Sequence, residues 1–417
     1  MTQTKKTTKT RWTVCALIFS ATTINLLDRQ VLGILASDLQ KKIGWTELEY
    51  GYIVSAFQFS YAIGMALVGR LLDKVGTRLG YTLSIALWSL ASMAHAFVGS
   101  AWGFGIARIF LGISEAGNFP AAIKATAEWF PAKERSIVAG IINAGSNMGV
   151  IVAALAVPFL AIHWGGQTAF LATGILGMAV SAWVWLFYRV PQQHSKVSKE
   201  ELAYIEQDSV IQDEPIKWTK LLSYRQLWAF TIMKFLIDPV WYFYLYWLPK
   251  FLDKAFGIPL GKLSLPLMTV YLLSDVGSIA GGWFPTWLIK RGYSLHKARR
   301  TAFLVCAMAV LPMFFGTYYT NLWIAVILVG IALAAQQAWS SNAYTLVSDL
   351  FPSNAVASVV GFGSMAGALG GVLFSMIIGW VLNQTGSYAP LFAYAASAYF
   401  IAFGVLSWLV PKIEPIR

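Results

Sequence analysis

Residues 350–411 read LFPSNAVASVVGFGSMAGALGGVLFSMIIGWVLNQTGSYAPLFAYAASAYFIAFGVLSWLVP, without a single Asp, Glu, Lys or Arg. A helix needs about 20 apolar residues to cross the hydrocarbon of a bilayer, so this run holds two crossings, with a turn signal at Asn383–Tyr388 between them. Leu79–Ala107, Ser136–Tyr188 and Thr301–Ser348 are likewise free of charge. The whole chain of 417 residues is 57% hydrophobic and 12% charged, with a mean hydropathy of +0.61. Soluble domains carry about 25% charged residues, which excludes a water-soluble enzyme. The formal net charge of +12 reflects basic residues gathered between the apolar runs, a pattern of membrane orientation and not of nucleic-acid binding.

Apolar runs broken by charge, Pro and Gly predict twelve transmembrane helices over 12–35, 50–72, 79–100, 102–124, 136–160, 168–189, 227–251, 264–289, 300–318, 321–347, 356–382 and 388–410. The fold class is therefore an all-α integral membrane protein of two six-helix halves, residues 1–190 and 227–417. A polar cytoplasmic linker, 191–226, with a short amphipathic helix joins them. Loops on the side of the N-terminus hold 22 Lys and Arg against five on the other side, which places both termini and the linker in the cytoplasm. The basic N-terminus leads into a run containing Asp28-Arg29 with no small-residue cleavage site, so a retained first span is expected, not a signal peptide. Cys15 and Cys306 both sit in apolar runs and suggest no disulfide or metal site. The four His lack metal-ligand spacing, and no cofactor is implied.

An internal repeat runs through the chain. Glu128-Trp-Phe-Pro131, then Gly140 and Gly149, recurs 221 residues later as Asp349-Leu-Phe-Pro352, Gly361 and Gly370. The same offset sets Leu27-Asp28-Arg29 against Leu248-Pro249-Lys250 and Glu115 against Gln336. A six-helix unit has been duplicated in the same orientation, an arrangement that commonly builds transporters.

Gly69-Arg-Leu-Leu-Asp73-Lys74-Val-Gly76-Thr-Arg78 resembles the signature loop of the major facilitator superfamily, and its second-half counterpart Leu288-Ile-Lys290-Arg291-Gly292 keeps the basic residues but lacks the Asp. The stretches Ile24–Gln30 and Arg108–Pro120 resemble the anion:cation symporter branch. Within it, Asn143–Asn147 and Asp238–Tyr244 are similar to the hexuronate carriers of glucuronate and galacturonate. The resemblance spans essentially the whole chain; it departs at Leu26, where the family usually has Tyr. It implies the major facilitator fold, a bacterial inner membrane, a monomer, and symport of a sugar-acid anion with protons. It also implies gating by Asp73 and Arg78, and proton coupling by Asp28 and Glu115.

Charges inside spans are costly and are functional candidates by default. Asp28 and Arg29 lie together in the first span with Asn25 one turn back; Arg108 and Glu115 lie two turns apart on one face of the fourth, with Gly112 between them. Protonating an acid beside Arg would release the guanidinium for a substrate carboxylate, and the bound substrate would in turn retain the proton. Arg suits a bidentate carboxylate grip. Arg29 is the substrate ligand in this reading and Arg108 the charge partner of an acid. Candidate contacts for the sugar are Asn25, Tyr61, Ser146, Asn147, Gln336, Trp339, Ser340, Asn342 and Ser364. A static ion pair that only fixes helix packing remains the alternative for the charges. Lys234 and Asp238, i and i+4, are open between ion pair and substrate contact, and Asp275 is unassigned. A carrier of an aldonate or another monocarboxylate is the second functional reading. A membrane-embedded enzyme or sensor finds no nucleophile pair, metal cluster or nucleotide loop to support it.

Overall fold

The computed structural model describes residues 8–207, 218–414 and 416, and among them every regular element is helical. In chain order these are α1 (Thr10–Ile43), α2 (Glu47–Val75), α3 (Thr77–Ala94), α4 (Ala101–Glu115), α5 (Asn118–Trp129), α6 (Ala132–Trp164), α7 (Gly166–Phe187) and α8 (Lys199–Glu206). Then follow α9 (Trp218–Leu221), α10 (Arg225–Phe256), α11 (Ser264–Lys290), α12 (Leu295–Val310), α13 (Leu322–Leu350), α14 (Ser353–Thr385) and α15 (Ala389–Leu409). Side chains define several boundaries. Ser100 accepts the Gly103 amide at the start of α4, and Asn321 accepts those of Trp323 and Ile324 at the start of α13. Gly257 and Gly386 end α10 and α14 in left-handed conformation, at φ 62° and 65°.

Seven helices among the described residues are long and apolar enough to cross a membrane: Ile137–Trp164, Gly166–Phe187, Ser264–Lys290, Leu295–Phe315, Leu322–Leu350, Ser358–Thr385 and Ala389–Leu409. The other long helices, α1, α2 and α10, are diluted by the groups that interest us, among them Asn25, Asp28, Arg29, Gln58, Lys234 and Asp238.

The repeat is visible as geometry. Phe130 and Phe351 end α5 and α13 in extended conformation, and Pro131 and Pro352 precede α6 and α14 with φ, ψ of −63°, 155° and −65°, 157°. α6 and α14 are both 33 residues long and start 221 positions apart. The duplication also exposes a difference. α13 is continuous, whereas the matching stretch of the first half is broken into α4 and α5 at Ala116-Gly117, so the single helix expected over 102–124 is two. A Cβ at Gly117 would collide with Ser84 Oγ, so the glycine lets the chain pass close against α3 at the break. The helix expected over 300–318 gives way after Val310 to a 3-10 turn over Leu311–Phe315, where Pro312 has no amide for the Met308 carbonyl and the Leu311 amide takes it instead.

The helices gather into two compact units. One comprises Met1–Leu32 and Phe59–Ile211, the other Gly33–Gln58 and Gln212–Arg417. Residues 33–58 thus group with 212–417. Within that unit Lys250 Nζ pairs with Glu47 at 2.7 Å and the Tyr50 hydroxyl donates to the Tyr246 carbonyl at 2.8 Å. A Cβ at Gly51 would lie 2.9 Å from the Ser375 carbonyl.

In the first unit the linker helix α8 closes on the start of α1. The buried Glu201 carboxylate accepts the Thr10 and Arg11 amides at 3.1 Å each, the Thr8 hydroxyl and Arg11 Nη1. An anion there answers the unpaired amides and the positive end of the helix. Burial opposes ionising Glu201, but these hydrogen bonds outweigh it and hold its pKa below the ordinary Glu value. The clasp therefore contributes stability that is present above the ordinary Glu range and lost as pH falls through the lowered value. Glu201→Gln is expected to cost about 1–3 kcal/mol at neutral pH, read as a lower melting temperature, with the deficit shrinking as acid neutralises the parent; equal melting temperatures at neutral pH would dismiss the clasp.

Candidate functional site

The first unit concentrates charge where α1, α2, α4 and α6 carry polar groups inside otherwise apolar helices. Arg29 is 6% exposed and reaches Glu115, which is fully buried, through Nε at 3.1 Å and Nη2 at 2.9 Å, both to Oε2. Asn25, one turn back on α1, accepts from Nη2 at 3.5 Å, and the Tyr61 ring lies under the guanidinium at 4.7 Å. The acid that holds Arg29 thus comes from α4, a pairing between helices that spacing within α4 could not reveal. Arg108, expected to serve Glu115, is buried on the same helix, but the ion pair seen at Glu115 is with Arg29.

Asp28 turns the other way. It is 1% exposed and accepts from the Ser92 hydroxyl at 2.8 Å, with Thr173 Oγ1 3.3 Å from Ser92 Oγ. Neighbours on α1 therefore serve different helices, since successive residues are about 100° apart around a helix. Ser92 and Thr173 escaped the sequence reading because a hydroxyl in an apolar run looks the same whether it packs or binds an acid.

Several polar atoms around this centre are buried without a hydrogen-bond partner among the described residues: Asn25 Nδ2, Asp28 Oδ2, Glu115 Oε1 and Ser146 Oγ. Buried polar atoms are normally satisfied, so each is a place for a proton, water or ligand atom. Ser146 and Asn147 are half-buried on α6, which rides close on α1. A Cβ at Gly145 would lie 3.0 Å from the Phe19 carbonyl, and one at Gly149 would collide with that of Thr23 and press on Leu26.

The expected gating pair divides. The Asp73 side chain lies outside the described residues. Arg78 donates to the Trp185 carbonyl from Nε at 3.0 Å and Nη2 at 2.6 Å, and sits over the Trp185 ring, fastening α3 to the end of α7. Next to it, Glu128 of the repeat motif accepts from Thr77 at 2.6 Å and from Tyr188.

In the second unit the polar cluster of α13 separates into two groups. Gln336 and Ser340 form a hydrogen bond at 3.3 Å, with Gln336 Oε1 buried and unpartnered; Ser364 is half-buried on α14. Asn342 and Trp339, expected to bind substrate, are both buried. Asn342 donates to the Gly281 and Ala338 carbonyls at 2.8 and 2.9 Å and accepts from Arg299, which pairs with Asp349. Trp339 is wedged edge-on between Phe303 and Tyr399. Polar character in an apolar helix could not distinguish a ligand contact from an internal fastener. Arg299 and Asp349 stand 221 residues beyond Arg78 and Glu128, so the duplicated positions fasten both units. On α10, Lys234 pairs with Asp238 at 2.8 Å, as their spacing allowed; Tyr344, which joins them at 3.0 Å, gave no sequence signal.

Such an arrangement can exchange one charge partner for another. A proton on Glu115 would cancel the charge that holds Arg29, leaving a guanidinium backed by an amide and an aromatic face.

The family described as Major Facilitator Superfamily matches residues 18–375. The Hexuronate transporter of Escherichia coli (strain K12) is 32% identical over 97% of this chain and 95% of its own length. A probable galactarate/D-glucarate transporter of the same strain is 29% identical over 97% and 94%. In fold, the crystal structure of a D-xylose-proton symporter superposes with a TM-score of 0.77 at 14% identity, covering 97% of this chain and 98% of that one.

Proposed function

The chain belongs to the Major Facilitator Superfamily, and from that premise we propose that it is a proton-coupled symporter of a hexuronate, galacturonate or glucuronate, working by alternating access in a bacterial inner membrane. In this reading twelve helices cross the bilayer in two six-helix halves, and both termini are cytoplasmic, as the excess of basic residues on that side favours. The observation that carries the proposal is the buried ion pair of Arg29 and Glu115, contributed by two different helices. A buried pair adds little stability over well-packed apolar residues, so its worth lies in being exchangeable. Similarity to the Hexuronate transporter over nearly the full length supports the choice of anion.

The steps follow from charge. Protonation of Glu115 releases Arg29, whose planar fork takes the sugar carboxylate with Asn25 and Tyr61 beside it. Asp28, with one oxygen held by Ser92 and the other buried unpartnered, is the second acid, through which the coupled proton is released. The bound anion favours the protonated acids and they favour it, which is the reciprocity coupling requires. With one proton per monoanion the cycle is electroneutral; with two it also draws on voltage, about 2.3 kcal/mol per 100 mV. Leu26, pressed against α6 at Gly149 where hexuronate carriers usually have Tyr, keeps a second reading in play, a proton-coupled carrier of another small organic anion such as an aldonate.

The test is a thermal-shift series on the purified protein. Galacturonate or glucuronate should raise the melting temperature, and galactose and glucose should leave it unchanged. Stabilisation by an aldonate alone favours the second reading, and no response to any sugar acid overturns both.

A further inference from the structure

The second unit holds a buried cation that the scheme above does not use. Lys234 Nζ lies 2.8 Å from Asp238 Oδ2, donates to the Tyr344 hydroxyl at 3.0 Å, and stands 4.7 Å from the centre of that ring. The Lys234 side chain is 8% exposed and that of Asp238 18%, whereas Tyr344 is 40% exposed, so the cluster opens on its Tyr344 and Asp238 side. Space for it is built into α14. A Cβ at Gly367 would collide with the Asp238 carboxylate, and one at Gly363 with Phe230. Gly370 lies against the Phe235 carbonyl, whose usual helical donor four residues on is replaced by Pro239.

Fastening is a poor explanation for this pair. Arg299–Asp349 and Lys250–Glu47 join different helices of the same unit through their charges, but Lys234 and Asp238 are one turn apart on α10, and the hydrogen bond that reaches α13, Lys234 to the Tyr344 hydroxyl, needs no carboxylate on α10. An i,i+4 pair contributes only about 0.2–0.5 kcal/mol on an open helix, while desolvating two charges costs several kcal/mol per ion. The charges are kept at a cost that packing does not recover.

We propose that Lys234, with the Tyr344 hydroxyl, is an anion-binding point of the second unit that takes the carboxylate of the transported sugar acid while Glu115 holds Arg29, with Asp238 as the resident counter-ion it exchanges for substrate. The inference rests on the function proposed above for the identity of the anion. It extends the recognition machinery to a side chain outside the Arg29 centre, and makes the balance between Lys234 and Asp238 a determinant of affinity for acids over neutral sugars.

Calorimetry on the full-length purified protein with galacturonate, galactarate and galactose tests it. Lys234→Gln should weaken binding of the acids at least tenfold, and Lys234→Arg should restore part of the loss. Asp238→Asn removes the competitor and leaves the ammonium, so it should tighten acid binding several-fold. If Lys234→Gln does not fold, Asp238→Asn decides alone: tighter binding supports the proposal, and unchanged or weaker binding overturns it. Dissociation constants equal to the parent's, with only the melting temperature lowered, also overturn it, leaving the pair structural. A parent protein that binds none of the acids refutes the proposed function itself, a result separable from any difference between parent and variants.

Discussion

Asp28→Asn should leave a carrier that exchanges hexuronate across the membrane at close to the parental rate, yet accumulates none when a pH gradient is imposed. The Asp28 side chain accepts one hydrogen bond from Ser92, and its second oxygen is buried with no partner among the described residues. Asparagine has the same shape as the protonated acid. Its oxygen can take the Ser92 hydroxyl, and its amide occupies the place of the proton-bearing oxygen. The variant is therefore fixed in the proton-loaded form, which can turn over with substrate on both sides but cannot release a proton to power uptake. Each pH unit is worth about 1.4 kcal/mol per coupled proton, or about tenfold accumulation. A two-unit gradient should thus drive roughly a hundredfold accumulation in the parent at one proton per substrate, and none in the variant. Exchange and accumulation in proteoliposomes measure the two properties separately. Because a neutral amide is easier to bury than a carboxylate, the variant should melt no lower than the parent. Parental accumulation by Asp28→Asn would remove Asp28 from coupling and leave Glu115 as the sole proton carrier.

Much of this architecture could be read from the chain. Long charge-free runs can only be buried or in lipid, and the WFP and LFP motifs end α5 and α13 and start α6 and α14 with matching dihedral angles. The charges of α1 and α4 stood out because such groups are rare in apolar helices. What sequence could not supply was partnership. Arg108 and Glu115 share a face of α4, but Arg29 arrives from another helix and takes the acid. Lys250, near the end of its expected helix, is 4% exposed and paired with Glu47 of another helix. Asn342 and Gln336, two turns apart on α13, read alike; one is consumed by Gly281, Ala338 and Arg299 while the other keeps an unpartnered oxygen. At the break between α4 and α5, Gly117 passes close against Ser84, a contact across thirty-three positions that no local propensity encodes. Periodicity and charge are properties of a segment; satisfaction of a polar atom is a property of the packed unit.

The same distinction decides what Arg29→Lys should do. Lysine can neutralise Glu115, so the buried acid keeps a counter-ion and the variant is expected to fold. What it lacks is the fork. Arg29 spends Nε and Nη2 on a single carboxylate oxygen, holds Asn25 with Nη2, and lays its plane on Tyr61. An ammonium is a point charge that can reproduce one of those bonds at a time, and it is more strongly hydrated. Once Glu115 is protonated, the sugar carboxylate meets a group that cannot grip both its oxygens, and the side chain has to be ordered for each contact. Charge-assisted hydrogen bonds contribute about 1.5–3 kcal/mol each, so losing one of two should raise the dissociation constant for galacturonate about 10- to 100-fold. Binding of a neutral sugar, which never used the fork, should not change. Titration calorimetry on parent and variant reads both numbers. Unchanged affinity for the acid would mean that another cation seats the carboxylate, and would turn the Arg29–Glu115 pair into a fastener between α1 and α4.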